Sequence, residues 1–87
     1  MPDNKTYLAR VYVTLKPTVN DPEGSTIAEA LRSLTFSGVE DVRSGKYFQV
    51  RLAASNKESA SAQVDDMCRR LLANPVIETY SFEVAEG

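Results

Sequence analysis

With one cysteine and no histidine, this 87-residue chain can neither staple itself covalently nor assemble the usual nitrogen and sulfur ligands of a structural zinc. An apolar core must hold whatever it folds into. A domain this small buries only about 60% of its unfolded surface and is marginal alone. Oligomerisation is the usual remaining support, so a partner chain, identical or not, is expected. The absence of histidine also excludes Ser-His-Asp triads, Cys-His pairs and a histidine pH switch. A lone thiol in a chain without disulfides suits a reducing compartment, and a cytoplasmic location is expected.

The residues between the tails read as one domain. Met1–Thr6 is polar, lacks the apolar core of a signal peptide, and is expected to be a disordered tail. The domain is expected over residues 7–84, with a short polar tail at 85–87. No apolar run approaches the roughly 20 residues of a membrane-spanning helix. A formal net charge of -2 gives no broad positive field for nucleic acid or an anionic membrane, so neither is expected as a partner.

Residues 7–15 alternate, with Ala9, Val11, Val13 and Leu15 on one face and Leu8, Arg10, Tyr12 and Thr14 on the other. Period two with β-branched and aromatic residues predicts a strand. Leu8 and Tyr12 make its second face a candidate interface. Lys16-Pro17 ends the strand, because proline lacks the ladder donor. Asp21-Pro22 reads as a helix N-cap followed by proline at the first helical position. Ile27, Leu31 and Leu34 then share a helical face, and Phe36-Ser37-Gly38 is expected to close it. Thr26 with Glu29 also fits a capping box, which would start the helix later.

Residues 39–44 and 46–52 read as two strands in a hairpin turning at Gly45, or as one strand bent there. Ser55 with Glu58 predicts a capping box for a second helix over 57–73, with Ala60, Val64, Met67 and Leu71 at helical spacing. Asn74-Pro75 stops it. Ile77, Tyr80, Phe82 and Val84 mark a last strand over 76–84. The order β-α-β-β-α-β predicts an α+β two-layer sandwich, ferredoxin-like or a close variant, with two helices on one face of a four-stranded antiparallel sheet.

Few residues are placed for chemistry. Asp65-Asp66 and Glu40-Asp41 are neighbours in sequence, so their carboxylates diverge and read as solvated charge. Cys68 lies on the apolar flank of the second helix and reads as packing. No catalytic, cofactor-binding or metal-binding residue is assigned. The polar cluster that stands out is Arg43, Lys46 and Tyr47 around Gly45, which fits either an anion or acidic-partner contact, or a solvated hairpin tip.

Four blocks carry a resemblance: Val11–Pro17; Asp21-Pro22-Glu23-Gly24; Val39–Tyr47; and Met67-Cys68 with Leu71–Glu78. In this order and over residues 7–84 they resemble the PurS family. Ser44 departs from the apolar residue many members carry there. The resemblance implies a non-catalytic small subunit of phosphoribosylformylglycinamidine (FGAM) synthase, an ATP- and glutamine-using ligase of de novo purine synthesis. It implies a large synthetase subunit, PurL, and a glutaminase subunit, PurQ, as partners, with a role in bridging them and in ammonia transfer. It also implies a homodimer or homotetramer. No cofactor is expected on this chain; ATP and Mg are expected on the synthetase. Arg43, Lys46 and Tyr47, with Lys16 nearby, are the expected contacts to the large subunit, and Leu8 and Tyr12 those between protomers.

Two rivals come from other classes. An acylphosphatase-like enzyme needs an arginine in a phosphate-cradling loop, and residues 16–20 contain none. An ACT-like module would bind a small effector between protomers, but the glycine-rich ligand loop after the first strand is missing.

Overall fold

A computed structural model describes residues 4–87. In chain order the elements are β1 (Lys5–Leu15), α1 (Pro22–Ser33), β2 (Gly45–Ala54), α2 (Lys57–Met67) and β3 (Glu78–Glu86). The strands form one antiparallel sheet in the order β2-β1-β3. The α+β class, the antiparallel sheet and the two helices are those the sequence predicts.

The sheet has three strands, not four. Residues 39–44 form neither arm of a hairpin nor a continuation of β2, and Gly45 opens β2 instead of turning a hairpin. Side chains bind part of the polar backbone of 39–44. Arg32 donates from Nε to the Val39 carbonyl at 3.0 Å and from Nη2 to that of Glu40 at 3.1 Å. The Ser44 N–H donates to Asp21 Oδ2 at 2.6 Å. Those three groups are paired without a ladder.

The strands also extend beyond their expected ends. Lys5 pairs with Ala54, and Tyr7 with Glu86, so Lys5, Thr6, Ala85 and Glu86 are ladder residues and not tails. The expectation for residues 1–3 lies outside the described residues.

The core lies between the sheet and α2. Ala9, Val11 and Val13 of β1 are fully buried with Ala60, Val64 and Cys68 of the second helical segment. Phe48, Val50 and Leu52 of β2 and Tyr80 and Phe82 of β3 pack around them, half-buried. The cap of α2 is Asn56, whose side chain accepts from the Ser59 N–H at 2.7 Å, and not the expected Ser55. Beyond Met67 the helix widens to π geometry over Cys68–Leu72 before Asn74-Pro75 ends it.

α1 does not lie on the sheet of its own chain. It makes only glancing contact with the strands and contributes nothing to the core cluster. It packs on the returning segment instead. A Cβ on Gly24 would meet the Val42 carbonyl oxygen at 2.1 Å, so glycine is required by the closeness of the two backbones. Asp21 caps α1 as predicted, and the helix begins there, not at Thr26. It ends earlier than Gly38: Leu34 is the C-cap, and Thr35 takes a left-handed φ of 79°. The molecule measures 56 × 27 × 14 Å, with a radius of gyration of 17.1 Å. A compact domain of this length would have a radius of about 12 Å.

Candidate functional site

Five of the six expected interface residues, Tyr12, Lys16, Arg43, Lys46 and Tyr47, gather at one end of the sheet. Register places Tyr12 opposite Tyr47, and their rings stack with centroids 5.3 Å apart. The Tyr12 hydroxyl donates to Glu83 Oε1 at 3.1 Å, and this bond, with burial second, raises the phenol above its ordinary pKa. Gln49 donates to the Tyr47 hydroxyl at 3.0 Å. The outer face of the sheet thus presents a fixed aromatic pair framed by polar groups, with both rings about half exposed.

Arg43 already has partners. Its Nη2 donates to the carbonyls of Lys16 at 3.0 Å and Val19 at 2.8 Å. It closes the loop after β1 against the segment that returns from α1. The Lys16 N–H donates to the Ile77 carbonyl at 2.8 Å, tying that loop to the residue before β3. Lys46 reaches across β1 to Glu78 Oε2 at 3.4 Å, while its own side chain remains largely exposed. Leu8 is half-buried at the opposite end of β1, next to Arg51 and Ala85, and is not part of this cluster.

Asp21 organises the neck between the two halves and is the residue that sequence reasoning missed as more than a cap. It is buried. Its Oδ1 accepts from the Gly24 N–H at 2.9 Å, and the Ser44 hydroxyl donates to both carboxylate oxygens at 3.0 Å. The Gly24 and Ser44 N–H groups, foremost, hold the carboxyl below its usual range, with the Ser44 hydroxyl and Arg43 acting in the same direction. No sequence pattern links position 21 to position 44; the one signal is the serine at 44, where the family resemblance leads one to expect an apolar residue.

Glu78 is the second such residue. It accepts from the Asn74 N–H at 2.7 Å, and this bond, with the Lys46 charge, lowers its pKa. With Glu23, Ser44 and Lys46 it lines a cleft of about 260 Å³ floored by Val13 and Leu15. Asp65 and Asp66 are not merely solvated. Asp65 accepts from the Tyr80 hydroxyl at 2.6 Å and pairs with Arg69, and Asp66 pairs with Arg69 and Arg70. Cys68 is fully buried, and burial pushes its thiol up.

Among the described residues no group of three or more acidic or cysteine side chains is placed to hold a metal ion. No described helix is long and apolar enough to cross a membrane.

The family model for PurS, phosphoribosylformylglycinamidine (FGAM) synthase, matches residues 8–86. The PurS subunit of phosphoribosylformylglycinamidine synthase from Synechocystis is 49% identical over 78 residues, which are 90% of this chain and 78% of that one. The solved Bacillus subtilis PurS structure superposes with a TM-score of 0.81 at 45% identity, covering 92% of this chain and 99% of its own. A chain in the solved structure of PurLQS from Thermotoga maritima superposes with a TM-score of 0.85 at 34% identity, covering 92% and 98%.

Proposed function

The chain belongs to the PurS family of FGAM synthase subunits, and from that premise we propose that it bridges the synthetase and glutaminase subunits of that enzyme without catalysing a step itself. The observation that carries this reading is the likeness, over nearly the whole length of both chains, to a component of the PurLQS structure. PurL and PurQ are the proposed partners, and the cytoplasm the proposed location. ATP and Mg belong to the synthetase subunit in this reading, and no cofactor is assigned to this chain. A part in passing ammonia from glutaminase to synthetase follows from the same reading, as does a homodimer or homotetramer.

The surface proposed for the large subunit is the end of the sheet that carries Lys46 and Tyr47, beside the Lys16 loop. Lys46 is well exposed despite its ion pair, and half the Tyr47 surface is open. Arg43 contributes by holding that loop in place through two carbonyls. Tyr12 and Leu8 remain the proposed contacts between protomers on the outer sheet face.

Reconstitution tests the function. The large synthetase and the glutaminase are assayed with and without this chain, using glutamine and, in parallel, free ammonia. Amidine formation from glutamine should require the chain, and formation from ammonia should not. Equal glutamine-dependent turnover in its absence would overturn the bridging role.

A further inference from the structure

The backbone of β2 faces two ways. The Lys16 N–H donates to the Ile77 carbonyl and the Gly87 N–H to the Thr6 carbonyl, so the even-numbered residues from Thr6 to Lys16 turn their backbone groups toward β3. The odd-numbered residues of β1 therefore face β2, and their partners there are Lys46, Phe48, Val50, Leu52 and Ala54. Tyr47, Gln49, Arg51 and Ala53 are left pointing their N–H and C=O groups away from the sheet. β1 is the one strand beside β2, and among the described residues no backbone group outside the sheet bonds to those four.

A bare edge invites a further strand, and proteins guard against it with proline, a bulge, shortness or charge. β2 runs for 10 residues without a proline, and its register with β1 is one to one, with no bulge. The opposite edge, β3, carries Glu78, Glu83 and Glu86. β2 carries Lys46 and Arg51 and no acidic residue. Its guard is positive charge, which repels a second β2 and attracts an acidic strand. Phe48, Val50 and Leu52, on its core-facing side, remain half-buried, and a strand alongside would cover them.

We propose that an extended segment of the large synthetase subunit adds to the free edge of β2, bonding its backbone to Tyr47, Gln49, Arg51 and Ala53. The same strand begins with Lys46 and Tyr47, the contacts assigned to that subunit above, so edge and contacts form one surface. The segment that fits alternates apolar residues, packed beside Phe48, Val50 and Leu52, with polar ones, an acidic side chain falling beside Arg51. Main-chain bonds supply the affinity and the alternate side chains the choice of partner. This rests on the bridging role above and adds how the large subunit holds the chain.

Gln49→Pro tests it. The substitution removes an N–H that β1 does not use, sets a ring against any added strand, and should keep its circular dichroism. In the reconstituted complex its assembly with the synthetase should be at least about 10-fold weaker than that of Gln49→Ala, which retains the N–H. Equal assembly by the two variants would overturn the proposal. So would a proline variant that loses only self-association or only the glutaminase, since the edge would then serve another chain. Amide hydrogen exchange on the wild type gives a reading free of any substitution. In the free chain the Phe48 and Val50 amides should be protected, while those of Tyr47, Gln49 and Arg51 exchange rapidly. Assembly with the synthetase should slow the latter three at least about 10-fold. Unchanged exchange in an assembled complex would refute strand addition and leave the bridging role standing. A wild-type chain that does not assemble at all would remove the bridging role, and this proposal with it.

Discussion

The Asp21 carboxylate grips Ser44 from both oxygens: the Ser44 N–H lies 2.6 Å from Oδ2 and the hydroxyl 3.0 Å from each. One buried side chain therefore joins the first turn of α1 to the entry of β2, two points far apart in sequence. The grip depends on the charged form. A carboxyl held below its unfolded value contributes stability that is complete above the unfolded pKa, near about 4, and is lost as pH falls through the folded one. Thermal midpoints measured from neutral to strongly acid pH should fall more steeply for the wild type than for Asp21→Asn. Ser44→Ala should lower the midpoint at neutral pH by less than Asp21→Ala, because Ser44 retains its N–H donor. Parallel pH curves for the wild type and Asp21→Asn would contradict the assignment.

Glu78 and Lys46 form an asymmetric pair. The Glu78 side chain is 11% exposed and also serves the Asn74 N–H, whereas Lys46 is 59% exposed. Exposed ion pairs contribute little because water screens them. Lys46→Ala should barely move the thermal midpoint, while Glu78→Ala leaves the Asn74 N–H unpartnered and should lower it clearly. Part of that contribution is also lost in acid, since the Glu78 pKa is depressed.

Gly24→Ala sets two effects against each other. Alanine favours a helix by about 1 kcal/mol over glycine. Here the new methyl would lie 2.1 Å from the Val42 carbonyl oxygen, a backbone atom that cannot rotate aside. Overpacking of this kind costs about 1–3 kcal/mol. The clash should win, lowering the thermal midpoint by roughly 5–10 °C in a domain of this size. An unchanged or raised midpoint would show that α1 and the returning segment separate readily.

Cys68 should be inert in the folded protein. It is fully buried, and its thiol is pushed up by burial and then by the Asp65 charge. Labelling by a thiol reagent at neutral pH should be negligible until denaturant unfolds the chain and then reach one thiol per chain. Rapid labelling of the native protein would mean that α2 opens locally.

The elements that the sequence revealed are those whose pattern meets its partner within the chain. The alternation of Ala9, Val11 and Val13 and the spacing of Ala60 and Val64 mark the two sides of the core that is found. Val39 and Val42 also mimic a strand, yet the Val39 and Glu40 carbonyls accept from Arg32 and the Ser44 N–H donates to Asp21. Strand pairing is a contest for backbone hydrogen bonds, and here side chains take part of them. The stripe of Ile27, Leu31 and Leu34 showed that α1 has a face to cover, but periodicity does not specify on which molecule. Tyr12 and Tyr47 could each be placed on a strand; their stacking required the β1–β2 register. Arg43 read as a free cation because nothing in its neighbourhood foretells the carbonyls of Lys16 and Val19.

The central position of β1 has a bearing on how the chain is made. This strand is synthesised first, yet its neighbours are residues 45–54 and 78–86. The buried pattern Ala9-Val11-Val13 must therefore wait, unpaired, while most of the polypeptide is produced. Pairings so distant in sequence close slowly, because loop entropy is spent before any contact repays it. A product ending short of β3 would carry its most apolar strand with one side bare, the form in which strands pair with the wrong molecule. Complete synthesis before sheet closure is thus built into the strand order itself.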